Sequence, residues 1–490
     1  MLRHSVLIIV SMAALVSTMT AKITPRIIIV APAGKDSNEG SLESPFATPE
    51  HAMSVAQAGD TVYLRTGSYT ISDRLMIEKP RLRIATYPPD LPERAVLVGA
   101  KTADPVIFDY RADDVSISDL KVVALTDDTK TNNVVVVYEG NRVSLMNLDV
   151  QGGKWYGIKI DAYDGDPHKR PRSTTGVNIR KCHVHNTGAK GIKTFNADHL
   201  LIEDCEVGHT GVRDPSNGEG IDSIGSKGVT VRRCYIHDTT ANGVYFKGGT
   251  VHGIVENSRI ENTGLFAGIL LGQDTSPQWM RDGVKYEAID CVARNNVVIN
   301  TGVAGLGTYS AYNIRIENNT LYDVAKDGQA ALWVVRNRQN ISSQNVVIKN
   351  NIVVIQSHQP FVFVQHLTGR LISDSNIFYS PWGEYEFRRE AGPQNRRVSW
   401  DSRAWKRNMK VDRHSQLVDP KIDVENLCRL RAGSPAIGRG EILSDVGFDY
   451  SGVRRGRHGG FDVGAHEYIA STSGSAPMAQ KRGAPSSALP

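Results

Sequence analysis

The chain has 490 residues, of which 40% are hydrophobic, 22% charged and only 7% aromatic, with 45 glycines. This composition supports a large packed core and excludes a disordered chain, a collagen and a coiled coil. A net charge of +5 is too small to indicate a nucleic-acid partner, and five cysteines are too few for a disulfide scaffold. No internal apolar run reaches 18 residues, which excludes a polytopic membrane protein.

The first 21 residues have the pattern of a signal peptide. Arg3 and His4 precede an apolar run over residues 5–16, and small or polar residues follow up to Ala21. The run is too short for a membrane anchor. We therefore expect cleavage near Ala21, a secreted or periplasmic location, and no membrane span in the mature chain. Residues 471–490, rich in Ser, Ala, Gly and Pro, predict a disordered tail.

Residues 30–69 carry two short motifs, G-x-D-x-N-x-G with P-F-x-T over 34–48, and G-D-T-V-Y-x-R-x-G-x-Y over 59–69. This stretch resembles the opening of secreted right-handed parallel β-helix proteins of the pectate-lyase-like superfamily, where the first motif leads into a capping helix and the second forms the first coil. Residues 434–440 and 461–468 are similar to the closing segment of that superfamily. The resemblance implies a fold rather than one activity, because this architecture hosts lyases, hydrolases, epimerases and adhesins.

The middle of the chain is an imperfect repeat with a shortest spacing of 23 residues. Each repeat has alternating apolar residues, two polar residues, a small or amide residue and a further apolar residue. The spacing is too short for propeller blades, and the leucine-rich pattern is missing. We predict an all-β, right-handed parallel β-helix of nine or more coils, forming one domain over 22–470 with an N-terminal capping helix and a C-terminal capping region over 379–468. The repeats lie at 115–122, 143–150, 177–184, 200–207, 229–236, 253–260, 291–298, 314–321 and 346–353.

The small or amide position of each repeat is predicted to form an internal ladder, with neighbours about 4.8 Å apart. Its members are Asp119, Asn147, Cys182, Cys205, Cys234, Ser258, Asn296, Asn319 and Asn351. The three cysteines are interpreted as buried ladder residues rather than as a metal or redox site with the nearby histidines. Their spacing matches no zinc pattern of the C-x2-C type.

A glycine followed by a short alternating strand recurs between the repeats, at 157–161, 191–195, 220–224 and 243–247. The apolar residues of these strands should point inward and the intervening residues to solvent, so that polar side chains from successive coils meet on one outer face. Insertions at 163–174, 210–217 and 273–284 are predicted to wall a groove over that face. The residues placed there are Lys159, Lys193, Glu219, Asp222, Tyr245 and Lys247.

These residue types suit β-elimination on an acidic, uronate-containing polysaccharide, although they also fit a surface salt-bridge cluster. A base removes the proton beside a carboxylate, which a metal or basic side chains must neutralise. Lys247 is the predicted base, Lys193 the second catalytic lysine, and Glu219 and Asp222 the ligands of a calcium ion. The expected substrate-binding residues are Lys159, Tyr245, His168 and Arg336. We expect the protein to act as a monomer.

The segments NGEGID (217–222) and NGVYFKGG (242–249) resemble the calcium strand and the catalytic-lysine segment of family 9 pectate lyases. The resemblance implies calcium at Glu219 and Asp222 and a base at Lys247. Gly218 stands where the family has an acid, and Lys193 stands where an acidic ligand is expected. Lys247 also lies two residues later than the family lysine. A cationic patch could therefore replace the metal.

Three other functions are compatible with the same face. Asp166, Pro167 and His168 resemble the D-P-H motif of alginate C5-epimerases. A glycoside hydrolase would use paired aspartates, and none lie on a groove strand. A non-catalytic carbohydrate-binding surface protein would need only the groove and its aromatic residues. The basic, tryptophan-containing segment 382–407 could bind an acidic polymer or cap the last coils.

Overall fold

The structure, a computed structural model, describes residues 24–100, 106–124, 133–162, 174–392 and 394–470. Within them the chain passes through three parallel sheets in turn, with about one strand per sheet in each coil. This arrangement is the predicted parallel β-helix. The signal-peptide segment, His168 and the C-terminal tail lie outside the described residues, and in the described part no helix is long and apolar enough to cross a membrane.

The chain enters the three sheets in a fixed order, first, second and third. The first sheet contains Ile27–Val30, Thr61–Leu64, Arg83–Thr86, Ser116–Ser118, Ser144–Met146, Asn178–Arg180, Leu201–Glu203, Thr230–Arg232, Thr250–Val251, Ile254–Glu256, Ala288–Ile289, Val292–Arg294, Ala311–Glu317, Gln344–Lys349 and Leu371–Asp374. The second contains Gly67–Ile71, Ala95–Gly99, Leu120–Ala124, Asp149–Gly152, His183–Thr187, Glu206–Thr210, Tyr235–Thr239, Arg259–Thr263, Val297–Thr301, Thr320–Tyr322, Ile352–Val354, Ile377–Tyr379 and Gln416–Leu417. The third contains Leu75–Ile77, Ile107–Tyr110, Asn133–Tyr138, Tyr156–Asp161, Ile192–Phe195, Ile221–Ile224, Val244–Lys247, Ala267–Leu271, Ala304–Tyr309, Leu332–Val335, Val362–Gln365, Phe387–Ala391 and Arg396–Trp400.

The remaining elements are short. Two small pairs of strands lie outside the three sheets, at Thr174–Thr175 with Ala197–Asp198 and at Ile422–Asp423 with Arg429–Leu430. The α-helices are Pro49–Val55 and Ser402–Met409, and the 3-10 helices are Pro88–Asp90, Pro215–Asn217, Pro277–Trp279 and Val424–Asn426.

The N-terminal motif closes the first coil with a capping helix, as predicted. Helix Pro49–Val55 begins after Thr48, whose Oγ accepts a hydrogen bond from the His51 amide at 3.2 Å. Asp36 accepts from the Thr48 hydroxyl at 2.8 Å and from the backbone amides of Ala47 and Thr48 at 2.9 Å. The aspartate of the motif therefore holds the residue that starts the helix.

The internal ladder is present in the later coils. Asn296 donates to Asn319 Oδ1 at 3.0 Å, and Asn319 donates to Asn351 Oδ1 at 3.0 Å. Asn376, one coil further, accepts from Asn351 at 3.1 Å. Cys182, Cys205 and Cys234 fill the same position earlier in the chain, where they are buried. All five cysteines of the chain are free.

The predicted ladder positions of Asp119 and Asn147 were wrong by one residue. Leu145 pairs with Ile179 in the first sheet and Asp149 with His183 in the second, which aligns Leu148 with Cys182. Leu120 and Leu148 are therefore the fully buried inner residues. Asp119 and Asn147 lie in the outer part of the turn with positive φ, and Asn147 donates to Asp119 Oδ1 at 2.7 Å. The short pattern used to align the repeats could not distinguish these neighbouring turn positions.

A second column of asparagines, just outside the internal ladder, binds the C-terminal segment 441–464. These turn asparagines have positive φ and donate side-chain amides to backbone carbonyls of that segment. The donor–acceptor pairs are Asn257 with Asp449, Asn295 with Phe448, Asn318 with Asp462, and Asn350 with Glu441. The segment thus folds back along the side of the helix. This explains why Asn-Asn pairs recur at 295–296, 318–319 and 350–351.

The last coil is covered by an antiparallel strand and a helix. Arg396–Trp400 pairs antiparallel with Phe387–Ala391, and helix Ser402–Met409 follows. Trp405 is fully buried and its ring stacks on Phe387 at a centroid distance of 5.2 Å. The basic segment 396–409 therefore acts as a cap, whereas Trp382 is 59% exposed.

We expect Asn319→Ala to lower the free energy of unfolding by about 3 kcal/mol, since it leaves buried donors and acceptors of two neighbouring coils unpaired. The measurement is urea denaturation followed by circular dichroism. Asn178→Ala is the control: its side chain makes one bond, to Gly176 O at 3.2 Å, on a half-exposed strand. Equal losses in the two variants would contradict a ladder that stabilises the fold.

Candidate active site

The third sheet brings the predicted polar residues into one column on its outer face. The register pairs Lys159 with Lys193, Lys193 with Asp222, and Asp222 with Tyr245. Ile158, Ile192, Ile221 and Val244, one residue earlier in each strand, are fully buried in the core. The period-two alternation therefore predicted both faces of the sheet correctly.

The column is buried, which differs from the expectation that it would face solvent. Lys193 is 8% exposed and Asp222 0%, and Tyr245 is 2% exposed. Lys193 Nζ lies 2.5 Å from Asp222 Oδ2 and donates a hydrogen bond to it. These residues lie on the outer face of the sheet and are nevertheless buried.

Lys190 is a member of the site that the sequence analysis missed. Its Nζ lies 2.8 Å from Glu219 Oε2 and 3.9 Å from Asp222 Oδ2, and its side chain is 8% exposed. Lys190 and Glu219 each precede the glycine of their strand, and the chain of backbone hydrogen bonds places them side by side. The signal in the sequence is A-K-G-I-K, in which Lys190 stands directly before the glycine, as Glu219 does one coil later.

Burial and neighbouring charges shift the proton affinities of this cluster. Burial lowers the pKa of Lys193 to about 8, with Lys247 and Lys190 acting in the same direction and Asp222 opposing them. For Asp222, burial acts to raise the pKa, but the lysines, Lys193 most strongly, hold it below its usual value. Burial would lower the pKa of Lys190, but Glu219 and Asp222 raise it overall.

Lys247 lies beside this cluster and is half-buried. Its Nζ stands 4.5 Å from the centroid of the Tyr245 ring, a cation–π contact. Burial, followed by the charges of Asp222 and Glu219, raises the pKa of Tyr245, so its phenol stays protonated. The cluster therefore combines three lysines, Lys190, Lys193 and Lys247, with two carboxylates, Glu219 and Asp222. We call these five residues the lysine cluster.

Two of the predicted walls flank the lysine cluster at opposite ends of the strands. Asn217, in the segment 210–217, accepts hydrogen bonds from Lys190 Nζ at 3.3 and 3.4 Å. Trp279, in the segment 273–284, packs edge-on against Phe195 at 5.7 Å. Glu287 anchors the second wall by accepting from the Gly248 amide at 2.8 Å and from Thr275 Oγ1 at 2.6 Å. Most of the remaining insertion, at 163–174, lies outside the described residues.

The predicted substrate-binding residues are not all near the cluster. Lys159 is adjacent to Lys193, and its Nζ lies 2.5 Å from Asp161 Oδ2. Arg336 directly follows the strand Leu332–Val335, which is four strands away from the strand of Asp222 in the third sheet, or about 19 Å at the usual strand spacing. Its side chain donates a hydrogen bond to Asn395 at 3.1 Å. The structure does not bring Arg336 to the cluster. His168 lies outside the described residues.

The described residues around Glu219 and Asp222 do not fit a calcium ion. Calcium takes six to eight oxygen ligands. Here the two carboxylates face the ammonium groups of Lys190 and Lys193, although Asp222 Oδ1 is buried without a hydrogen-bond partner in the described part of the chain. Calcium at this place stays a prediction.

Two open concavities lie elsewhere on the surface. One, of about 550 Å³, is lined by residues 323, 326 and 356–359, and one of about 450 Å³ lies on the first sheet near Tyr63 and Arg83. Neither contains a buried lysine paired with a carboxylate. The lysine cluster is the better candidate for chemistry because Lys190, Lys193 and Asp222 have shifted pKa values and charged partners.

Comparison with known proteins agrees with this architecture. A family model described as "Right handed beta helix region" matches residues 171–352. Among solved structures, XylC in complex with xylose is similar at a TM-score of 0.57 and 9% identity, covering 90% of this chain and 98% of that one. The A-module of the mannuronan C-5 epimerase AlgE6 of Azotobacter vinelandii is similar at 0.55 and 13%, covering 70% and 90%.

The fold is a right-handed parallel β-helix. Pectate lyase Pel9A is similar at a TM-score of 0.48 and 16% identity, covering 91% of this chain and 97% of that one. A curated relative, the uncharacterized protein YwoF of Bacillus subtilis (strain 168), is 26% identical over 222 residues. That match covers 43% of this chain and 46% of the relative, so it spans about half of each protein.

We expect Asp222→Ala to destabilise this β-helix by about 3–5 kcal/mol, because it leaves Lys193 buried without its partner. The double variant Asp222→Leu with Lys193→Met should recover most of that loss, since it removes both charges. Urea denaturation measures both effects. Glu441→Ala is the control, because it breaks a 2.6 Å pair with Lys349 in which Glu441 is 46% exposed, and it should cost less than about 1 kcal/mol. A double variant as unstable as Asp222→Ala would refute the pairing.

Proposed function

We propose that this protein is a secreted enzyme that cleaves a uronate-containing polysaccharide by β-elimination at the lysine cluster. The observation that carries the proposal is the burial of Lys193 against Asp222 between two further lysines, on a face walled at both ends. Among the five residues of the lysine cluster, lysines outnumber carboxylates by three to two, and Glu287 is a further carboxylate on which the charge of Lys247 acts. The lysines of the cluster favour a substrate that carries a carboxylate.

Lys193 is the best candidate for the base. A general base works best when its pKa lies near the operating pH, and the pKa of Lys193 is lowered to about 8. In its neutral form Lys193 can donate one N–H to Asp222 while its lone pair accepts a proton from the sugar. This assignment differs from the sequence prediction and from the family 9 resemblance, which both give the base as Lys247.

Lys247 then neutralises the carboxylate of the uronate. It is half-buried at the open side of the cluster, and its ammonium group lies over the face of Tyr245. Lys159, one strand away from Lys193, is placed to contact the next acidic sugar. A positive charge beside the carboxylate stabilises the negative charge that develops when the neighbouring carbon loses its proton.

The reaction needs few bond changes. Lys193 takes the proton from C5 of the uronate, a double bond forms between C5 and C4, and the C4–O bond of the glycosidic linkage breaks. The leaving oxygen takes a proton from solvent. The product carries an unsaturated uronate at its new end.

The comparisons support a carbohydrate substrate without identifying it. XylC is described in complex with xylose and AlgE6 as a mannuronan C-5 epimerase, and both share this fold at low identity. Epimerisation begins with the same proton abstraction, so it is the second outcome that an assay must separate.

Exchanging each lysine for arginine separates the two roles. Arginine keeps the charge but cannot act as a base. We therefore expect Lys193→Arg to lower kcat by 10²- to 10⁴-fold and Lys247→Arg to retain most activity. The assay follows the ultraviolet absorbance of unsaturated uronates on pectate, alginate, heparinoid and chondroitin, with and without a chelator. The matched control is Lys227→Ala, an exposed lysine outside the cluster.

The reverse pattern, with Lys247→Arg inactive and Lys193→Arg active, would assign the base to Lys247. Loss of activity with chelator would restore the calcium hypothesis. Binding with uptake of solvent deuterium at C5 but no absorbance would identify an epimerase. Binding with neither would identify a carbohydrate-binding protein.

The pH dependence gives an independent check on Lys193. Since the base must be neutral, kcat/KM should rise with pH and level off above about pH 8. Lys247→Ala removes a charge that lowers the pKa of Lys193, so the rise should move to higher pH. Asp222→Asn removes a charge that raises it, so the rise should move to lower pH. A profile that neither variant shifts would exclude Lys193 as the titrating base.

A further inference from the structure

A second group of ionisable side chains lies on the outer face of the second sheet, away from the lysine cluster. Strand pairing places Asp149 beside His183 and His183 beside Glu206 in three successive coils. His185 lies two residues after His183 and therefore projects from the same face. The two imidazoles and two carboxylates all lie on strands of the second sheet, so the parallel stacking alone brings them together.

The donor atoms of Asp149, His183 and His185 are spaced as ligands of one metal ion. His185 Nε2 lies 2.9 Å and His183 Nδ1 3.8 Å from Asp149 Oδ1, and one donor atom of each residue falls within 4.8 Å of the others. Tetrahedral zinc with bonds of about 2.0–2.1 Å requires donors about 3.3 Å apart. The two imidazole rings are nearly parallel, with centroids 4.1 Å apart.

The remaining ring nitrogens have partners that would orient the imidazoles. His183 Nε2 faces Glu206 Oε1 at 3.7 Å, so it can donate a proton there while Nδ1 binds the metal. His185 Nδ1 lies 3.1 Å from the side-chain amide of Asn186, whose oxygen can accept from Nδ1–H after rotation of the amide. Lys121 contacts the other oxygen of Asp149, Oδ2, at 3.5 Å and leaves Oδ1 free for the metal.

We propose that Asp149, His183 and His185 bind a divalent transition-metal ion such as Zn²⁺, and that Glu206 and Asn186 orient the two histidines. Three ligands leave the fourth tetrahedral position to water. The site is open to solvent on one side, because the side chains of His183 and Asp149 are 40% and 22% exposed. The metal would join two neighbouring coils, with a third held through Glu206.

The neighbouring group of His209, His237 and Asp238 is less suited to a metal. Both ring nitrogens of His237 already face carboxylates, at 2.7 Å from Asp238 and 3.4 Å from Glu206. Binding a metal there would break the charge-assisted hydrogen bond between the buried His237 and Asp238. We therefore place the ion at His183 and His185 and use the second group as a comparison.

Cobalt(II) reports the site directly, because four-coordinate Co²⁺ has intense visible d–d absorption and substitutes for zinc. The full chain, stripped with chelator, is titrated with Co²⁺ alone. One equivalent should produce the bands in the wild type, and His185→Asn and His183→Asn should abolish them. Glu206→Gln should weaken binding about tenfold, since it removes an orienting partner rather than a ligand.

His252→Asn is the matched control, an exposed histidine 3.7 Å from Asp290, and it should bind cobalt as the wild type does. Zn²⁺ should raise the Tm of the wild type and of His252→Asn but not that of His185→Asn, with circular dichroism verifying that each variant is folded. Bands that persist in both His183→Asn and His185→Asn, or that disappear only in His209→Asn, would overturn the proposal. A thiolate-to-cobalt band, which would place the ion at the buried cysteines, or a titration without d–d bands would overturn it too.

Discussion

The stacking of parallel coils is the constraint on which the rest of this molecule depends. Each side chain has the equivalent residue of the next coil as its neighbour, about 4.8 Å away. Residues at equivalent inner positions of successive coils must therefore be able to pack against, or hydrogen-bond to, one another. Branched aliphatic residues satisfy this by packing, and Asn296, Asn319 and Asn351 satisfy it because one amide can donate to the next and accept from the previous. Cysteine serves as a small apolar residue at the same position in earlier coils.

The same constraint acts on the outer faces, where it organises charge. Lysine stacked on lysine is unfavourable unless a carboxylate stands beside it, and Lys193 is followed in its column by Asp222. Lys190 is likewise followed by Glu219. Lys247 is a third lysine beside these two pairs, and its charge also acts on the carboxylate of Glu287. Burying these charges costs free energy that an aliphatic column would not cost. The excess positive charge beside a walled face is what an anionic polymer would match.

The alternation of the short strands predicted the fold and most of the cluster, since period two determines which side chains share a face. The pattern does not extend to Lys190, which stands before the glycine of its strand, and only the pairing of Lys190 with Glu219 identifies it as part of the site. The pattern also could not predict the one-residue shift that places Asp119 and Asn147 in the outer turn. The burial of Lys193 could not be predicted either, because it depends on how closely side chains of neighbouring coils, such as Asp222, pack against it. Arg336 was predicted to bind the substrate because arginine suits an acidic sugar. Its residue type does not reveal that four strands separate it from Asp222.

The back-folded segment 441–464 makes the cooperativity of unfolding differ along the solenoid. In a simple repeat array each unit contacts only its neighbours, so unfolding can begin at any coil and spread. Here one strip of chain is bonded to the coils of Asn257, Asn295, Asn318 and Asn350 at once. Those coils cannot open singly without releasing the strip, so they behave as one cooperative unit. The coils before them, which carry both outer clusters of charge, have no bond to this strip among the described residues, so their opening does not require its release.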